Sequence, residues 1–238
     1  MKMSDKQTIA RMRLVIPAMI LCIIGDYCIG AEPKGSVMLG KIASSGWLTI
    51  ADWRIALSNI TGMVGSILYA IGATAFARFL HEHIREQRDR LWVRLYTAGL
   101  GLGCVSFMYF HIACGGLIQH FRVLYDVTGG NAAQAEEAWL RMLMPEAAPY
   151  VVMFIGFDVL TSVAWIALVA KGILPVSKLW ILSSPLIAIG IGTLAELLPL
   201  PFSGINSGFE SMGWLGMFIC GIGYVKAASI DNDSKNEK

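Results

Sequence analysis

Charge is scarce in this chain. Only 15% of its 238 residues are Asp, Glu, Lys or Arg, against about 25% in an ordinary soluble domain. So little polar surface cannot cover a fold of this size, which excludes a typical water-soluble globule. No CxxC pair occurs, so zinc-knuckle, thioredoxin-like and c-type haem signatures are missing. The HExxH, GxSxG, Walker A and G-x-G-x-x-G patterns are missing too. The net charge of +2 is not gathered into a basic stripe, so nucleic acid is not an expected partner. No cofactor is assigned.

What is present is apolar. Hydrophobic residues make up 55% of the chain, and all five cysteines fall inside apolar runs. Six such runs lie at about residues 14–31, 55–79, 95–117, 149–170, 179–199 and 212–227. A run of ~18 or more apolar residues reads as a membrane-spanning helix. The expected fold class is therefore all-α: a polytopic transmembrane bundle of six spans, forming one integral membrane domain with a polar tail at 229–238. The first run follows Lys2, Lys6, Arg11 and Arg13, as in a signal peptide. It is as long as a span and no A-x-A site follows, so it is expected to be retained as the first helix.

Lys and Arg set the orientation. With the N-terminus inside, the N-terminal arm (Lys2, Lys6, Arg11, Arg13) and the second loop (Arg78, Arg85, Arg88, Arg90, Arg94) are cytoplasmic. So are Lys171, Lys178 and the tail residues Lys226, Lys235 and Lys238. Only Lys34, Lys41, Arg54, Arg122 and Arg141 of the 19 basic residues lie outside. Both termini are expected in the cytoplasm, with the protein in the cell membrane of a bacterium.

The outer segments carry structure. Residues 32–54 are too polar to span and too apolar for a free linker, so they are expected to lie along the interface or tuck over the bundle, with Trp47 and Trp53 at headgroup depth. Asn131 reads as an N-cap for a short extracytoplasmic helix between spans three and four, over Ala132–Met144, stopped by Pro145. Glycines crowd the spans, including a GxxxG at Gly99 and Gly103, as close helix packing in lipid requires. Pro185, Gly190 and Gly192 mark a helix that can bend.

Polar groups inside apolar runs are the most informative feature. A charged side chain at the bilayer centre costs roughly 2.5–3.5 kcal/mol on insertion scales. Asp26, Asn59, His111, Asp158 and Glu196 nevertheless sit in five different runs. At ~1.5 Å rise per residue, Asp26 falls ~6 Å, His111 ~7–8 Å, Glu196 ~10 Å and Asn59 ~12 Å to the outer side of the midpoints, with Asp158 near the centre. Ser162 shares the face of Asp158 at i, i+4. These six residues are the candidates for a polar pocket in the outer half. Asp26, His111 and Asp158 also form a weak candidate metal set.

Gly25-Asp26 and Phe110-His111, with the count of runs, resemble an uncharacterised bacterial family of six-helix membrane proteins with no assigned activity. The resemblance implies fold and location only. Three functions compete. One is binding or transport of a small solute or lipid through the polar pocket. The second is metal-dependent hydrolysis of a lipid within the membrane, and the third a non-catalytic scaffold or subunit. No catalytic residue or oligomeric state is assigned; membrane lipid is an expected partner, with a small molecule or lipid as the ligand of the pocket.

Overall fold

The structure is a computed structural model that describes residues 3–84, 86–199 and 202–236. Arg85, Lys2 and Lys238, which enter the charge count above, lie outside those residues. The chain is almost wholly helical. Among the described residues, five helices are long and apolar enough to cross a membrane.

The first of these is jointed. α1 (Asp5–Met12) starts at a capping box in which the Ser4 hydroxyl accepts the Gln7 N–H and the Gln7 side chain accepts the Ser4 N–H. α2 (Val15–Gly30) follows after a short joint. Pro17 has no N–H to give the Arg13 carbonyl, and Ile16 takes that carbonyl instead in a tighter turn. α3 (Ser45–Thr49) is one turn on the first loop. α4 (Asp52–His83) and α5 (Arg90–Val127) form a long hairpin. α6 (Ala132–Phe154) passes through a π-helical turn at Ile155–Val159 into α7 (Leu160–Ala170). A 3-10 turn at Lys178–Ser183, α8 (Pro185–Ala195), a second 3-10 turn at Ile205–Gly208 and α9 (Phe209–Asn236) complete the chain. α2 packs between α4 and α9, and α5 packs against α4 and α7.

The two ends of the bundle are distinct. At one end, Lys171 after α7 reaches over the Trp92 ring near the start of α5, with the ammonium 5.6 Å from the ring centroid. At the other, two-residue strands β1 (Glu32–Pro33) and β2 (Phe202–Ser203) pair antiparallel and tie the loop after α2 to the loop before α9. Gly204 beside that pair has φ +80° and lies against the Gly30 carbonyl, where no Cβ fits.

The loop between α2 and α4 is tucked onto the bundle. Glu136 of α6 accepts the backbone N–H groups of Lys41, Ala43 and Ile42 at 2.7, 3.0 and 2.6 Å. These bonds, the one from Lys41 foremost, hold its carboxyl below its ordinary value of 4.5. Arg122 of α5 donates to the carbonyls of Trp47 and Ile50 and to Asp52. Trp47 is half-buried and packs edge-on against Phe121 and Trp139; Trp53 is exposed.

Three expectations are corrected. Pro145 does not stop the helix after Asn131. α6 runs on through Pro145 and Pro149, because the two prolines lie four apart on one exposed face and unpair carbonyls only there. The run at 179–199 is not one helix. Pro185 cannot donate within a helix, so it opens α8 at its first turn, and α8 is about 16 Å long. Pro185 therefore marks a helix start and not a mid-helix bend. The polar residues from Ser229 continue α9 as far as Asn236.

Gly99 and Gly103 do pack as the GxxxG pattern predicts, against Thr161 and against Phe157 with Tyr69.

Candidate functional site

The site begins with a slot made by two glycines. His111 of α5 is buried, and its ring lies between Gly25 of α2 and Gly62 of α4, where a Cβ at either position would overlap it. This is why an imidazole fits between three closely packed helices. Its Nδ1 is 3.0 Å from the Ser58 hydroxyl of α4. Its Nε2 faces Asp26 of α2, 3.6 Å from Oδ1. The other oxygen of Asp26 accepts the Ser211 hydroxyl of α9 at 2.7 Å. A chain of polar contacts therefore crosses from α4 through α5 and α2 to α9, hydrogen-bonded at both ends and joined in the middle by the longer His111–Asp26 contact.

A second pair stands beside it. Asp158, in the π-helical turn, is fully buried. Its Oδ1 accepts the Trp214 indole N–H at 3.3 Å. Its Oδ2 is buried and has no hydrogen-bond partner; Glu210, in the first turn of α9, is another acid among its electrostatic neighbours. Trp214 is stacked on Phe157, with ring centroids 4.2 Å apart, so the turn that carries Asp158 is held by its neighbour's ring.

A cavity of about 310 Å³ opens onto these groups. Asp26, His111, Cys114, Ser207 and Glu210 give it polar walls, and Ile29 and Phe110 line the rest. It lies toward the end where β1 and β2 pair. Larger concavities, of about 560 and 540 Å³, sit at the opposite end around His83, Pro175 and Tyr224. None of Asp26, His111, Asp158 or Glu210 reaches them.

The six predicted residues divide. Asp26 and His111 meet and line the cavity. Asp158 is buried and does not line it. Ser162 is occupied elsewhere: its hydroxyl accepts the Leu186 N–H and caps the start of α8. Glu196 accepts the N–H groups of Gly204 and Asn206 and anchors the turn before α9. Asn59 faces Gly115, one position round the helix from Ser58, which is the residue that touches His111. The proposed metal set does not assemble, because Asp158 turns to Trp214 and does not line the cavity. Among the described residues, no three His, Cys, Asp or Glu side chains are placed to hold a metal ion.

Sequence reasoning missed Glu210 and Ser211. It began the last run at Met212 and left both in a loop. The signal was there: Glu210 stands four residues before Trp214, just after Gly208, where an acid suits a helix N-terminus.

The fold and the site together define an all-helical protein with several helices suited to a bilayer and a polar cavity among them. The chain belongs to the family described as a family of unknown function (DUF6796), which it matches over residues 3–228. No curated protein matches it, and no solved structure does.

Proposed function

We propose that the chain is a multi-pass membrane protein that binds or carries a small solute or a lipid headgroup in the cavity beside Asp26 and His111. The membrane reading rests on the five long helices and on their outward faces. Between a third and a half of each apolar stretch is buried; residues such as Ile67, Val105, Val163 and Ile219 point outward. Soluble proteins rarely leave contiguous apolar patches of more than a few hundred Å² in water. In this reading the segment from Lys178 to Ala195 makes a sixth, composite crossing. Its 3-10 turn and α8 add up to about 28 Å of rise, close to the ~30 Å hydrocarbon core. An even number of crossings returns both termini to one side, the side carrying most of the basic residues, and that side is the cytoplasm.

The observation that carries the binding reading is the cavity itself. A scaffold needs its intramembrane polar groups satisfied by neighbouring helices. Here Asp26 and His111 have partners on neighbouring helices and, with Glu210, also line an open volume large enough for a small molecule. Acidic walls with a His between them favour a solute rich in hydrogen-bond donors over an anion. The hydrolase reading lacks a ligand set for its metal among the described residues.

The test is native mass spectrometry of the protein released from its membrane. The wild type is expected to carry a small-molecule or lipid adduct. Asp26→Asn is expected to lose it, and Lys34→Gln, on the exposed first loop, to keep it. No adduct on any of the three, or the same adduct on all, contradicts the proposal.

A further inference from the structure

We propose that the two concavities at the end where Lys171 reaches over Trp92 hold one phospholipid of the adjoining leaflet, a zwitterionic lipid whose headgroup carries a phosphate and a primary ammonium. The proposal rests on the membrane reading above and not on the cavity beside Asp26.

The two concavities share a wall. His83 at the end of α4, Pro175 in the loop after α7 and Tyr224 of α9 line both. Their characters differ. The first, of about 560 Å³, runs along α9 past Ile219, Gly223 and Ala227, which share one face at i, i+4 and i+8. Ile219 is exposed on the outside of the bundle. A Cβ at Gly223 would meet nothing within 4 Å, so the groove is open there. Trp180 lines it too, an amphipathic ring of the kind favoured at headgroup depth. The second, of about 540 Å³, is ringed by charges: Glu86, Arg88 and Asp89 from the loop between α4 and α5, and Lys171 after α7. An apolar groove that leads into a charged basin suits an amphiphile; a small ion would use only the basin.

The pairing within the basin selects the headgroup. The Arg88 Nε lies 2.9 Å from Glu86, and these two charges offset each other. A cation and an acid remain. Lys171 lies over the Trp92 ring, and among the described residues no carboxylate pairs with it. The Asp89 side chain is only 18% exposed, and its nearest basic group is the Arg88 Nε at 3.7 Å, beyond a hydrogen bond. It caps no N–H of α5 either. Lys171 and Asp89 therefore line one basin without meeting. An ammonium has donors only, which suit a phosphate; a carboxylate has lone pairs only, which suit an ammonium. A phosphoethanolamine headgroup satisfies both. A headgroup with phosphate alone leaves Asp89 without a donor, and a choline headgroup has the charges but no N–H to give. His83 stands between groove and basin with its ring fixed: Nδ1 donates to the Phe79 carbonyl at 2.9 Å, and the ring stacks on Phe79 with centroids 3.8 Å apart.

Native mass spectrometry tests the site on protein washed free of its own lipid in detergent and titrated with deuterated lipids. Phosphatidylethanolamine is expected to bind about tenfold more tightly than phosphatidylcholine or phosphatidylglycerol of the same chains, the worth of one charge-assisted hydrogen bond. Lys171→Gln is expected to weaken all three lipids, and so is Gly223→Leu, which fills the groove. Asp89→Asn is expected to weaken phosphatidylethanolamine alone and bring it level with phosphatidylcholine. Soluble glycerophosphoethanolamine is expected not to displace the lipid, because it has no chains for the groove. Asp26→Asn is expected to keep the preference, so this site and the cavity beside Asp26 are read separately. Any other order of affinities in the wild type overturns the proposal, as does displacement by the soluble headgroup. So does a preference that survives Asp89→Asn, or binding that Lys171→Gln or Gly223→Leu leaves unchanged. A protein that fractionates with membranes yet shows no preference among the three lipids loses this proposal and keeps the membrane reading. The wild-type comparison decides the matter even if a variant does not fold.

Discussion

Trp214→Ala is expected to cost about 3–5 kcal/mol of stability, the range for emptying a large aromatic from a packed interior. The residue is fully buried and is the common wall of the aromatic cluster. It stacks on Phe157 and meets Tyr69 and Phe107 edge-on, at centroid distances of 5.8 and 5.9 Å. Its indole N–H is also the conventional donor to Asp158. Losing it leaves both a void and an unpaired buried oxygen. Trp214→Phe separates the two effects: it keeps most of the ring and removes the donor, at an expected cost of about 1–3 kcal/mol. Thermal unfolding in nanodiscs gives the order wild type, then Phe, then Ala. A Trp214→Ala protein that melts with the wild type would show that this cluster is not the core.

Gly62→Ala is expected to destabilise the protein and to empty the site. A Cβ there overlaps the Cβ, Cγ and Cδ2 of His111. Those atoms lie close to the α5 backbone and cannot swing away by a ring flip. Gly25 closes the slot on the opposite side, so the two helices must part or His111 must leave Ser58 and Asp26. Overpacking of this kind costs typically 1–3 kcal/mol, and any bound adduct should be lost with it. Gly101→Ala is the control on α5, since a Cβ at Gly101 meets nothing within 4 Å. It should be neutral or gain up to ~1 kcal/mol from helix propensity. Opposite shifts in melting temperature are the expected result. Equal shifts for Gly62→Ala and Gly101→Ala would remove the glycine slot from the account.

These two substitutions also mark how far the sequence could be read. Helical class, long apolar runs and the placing of Asp26 and His111 follow from composition and spacing, because lipid-compatible helices are written as uninterrupted apolar stretches. Partners are not written that way. Ser58 and Asn59 differ by one position, or about 100° of helix rotation. Which of them meets His111 depends on how α4 is turned against α5. Ser162 and Glu196 looked like pocket groups because they are polar in apolar runs, yet each binds backbone N–H groups that the breaks around α8 leave unpaired. Those breaks were hidden by hydropathy: residues 179–199 average as a span although Pro185 divides them. The reverse error hid Glu210, whose charge made the start of α9 look like loop.

The central claim is that a polar, water-accessible cavity lies within the bundle and opens away from the termini. Two native cysteines test it. Cys114 lines the cavity, whereas Cys22, one turn before Asp26, is buried with its thiol against Gly65. With Cys28, Cys104 and Cys220 replaced by alanine, a membrane-impermeant thiol reagent is added to intact cells carrying one cysteine or the other. The account predicts that Cys114 is modified from outside and Cys22 is not. Cys114 as protected as Cys22, or modified only from the cytoplasmic side in opened vesicles, would contradict it.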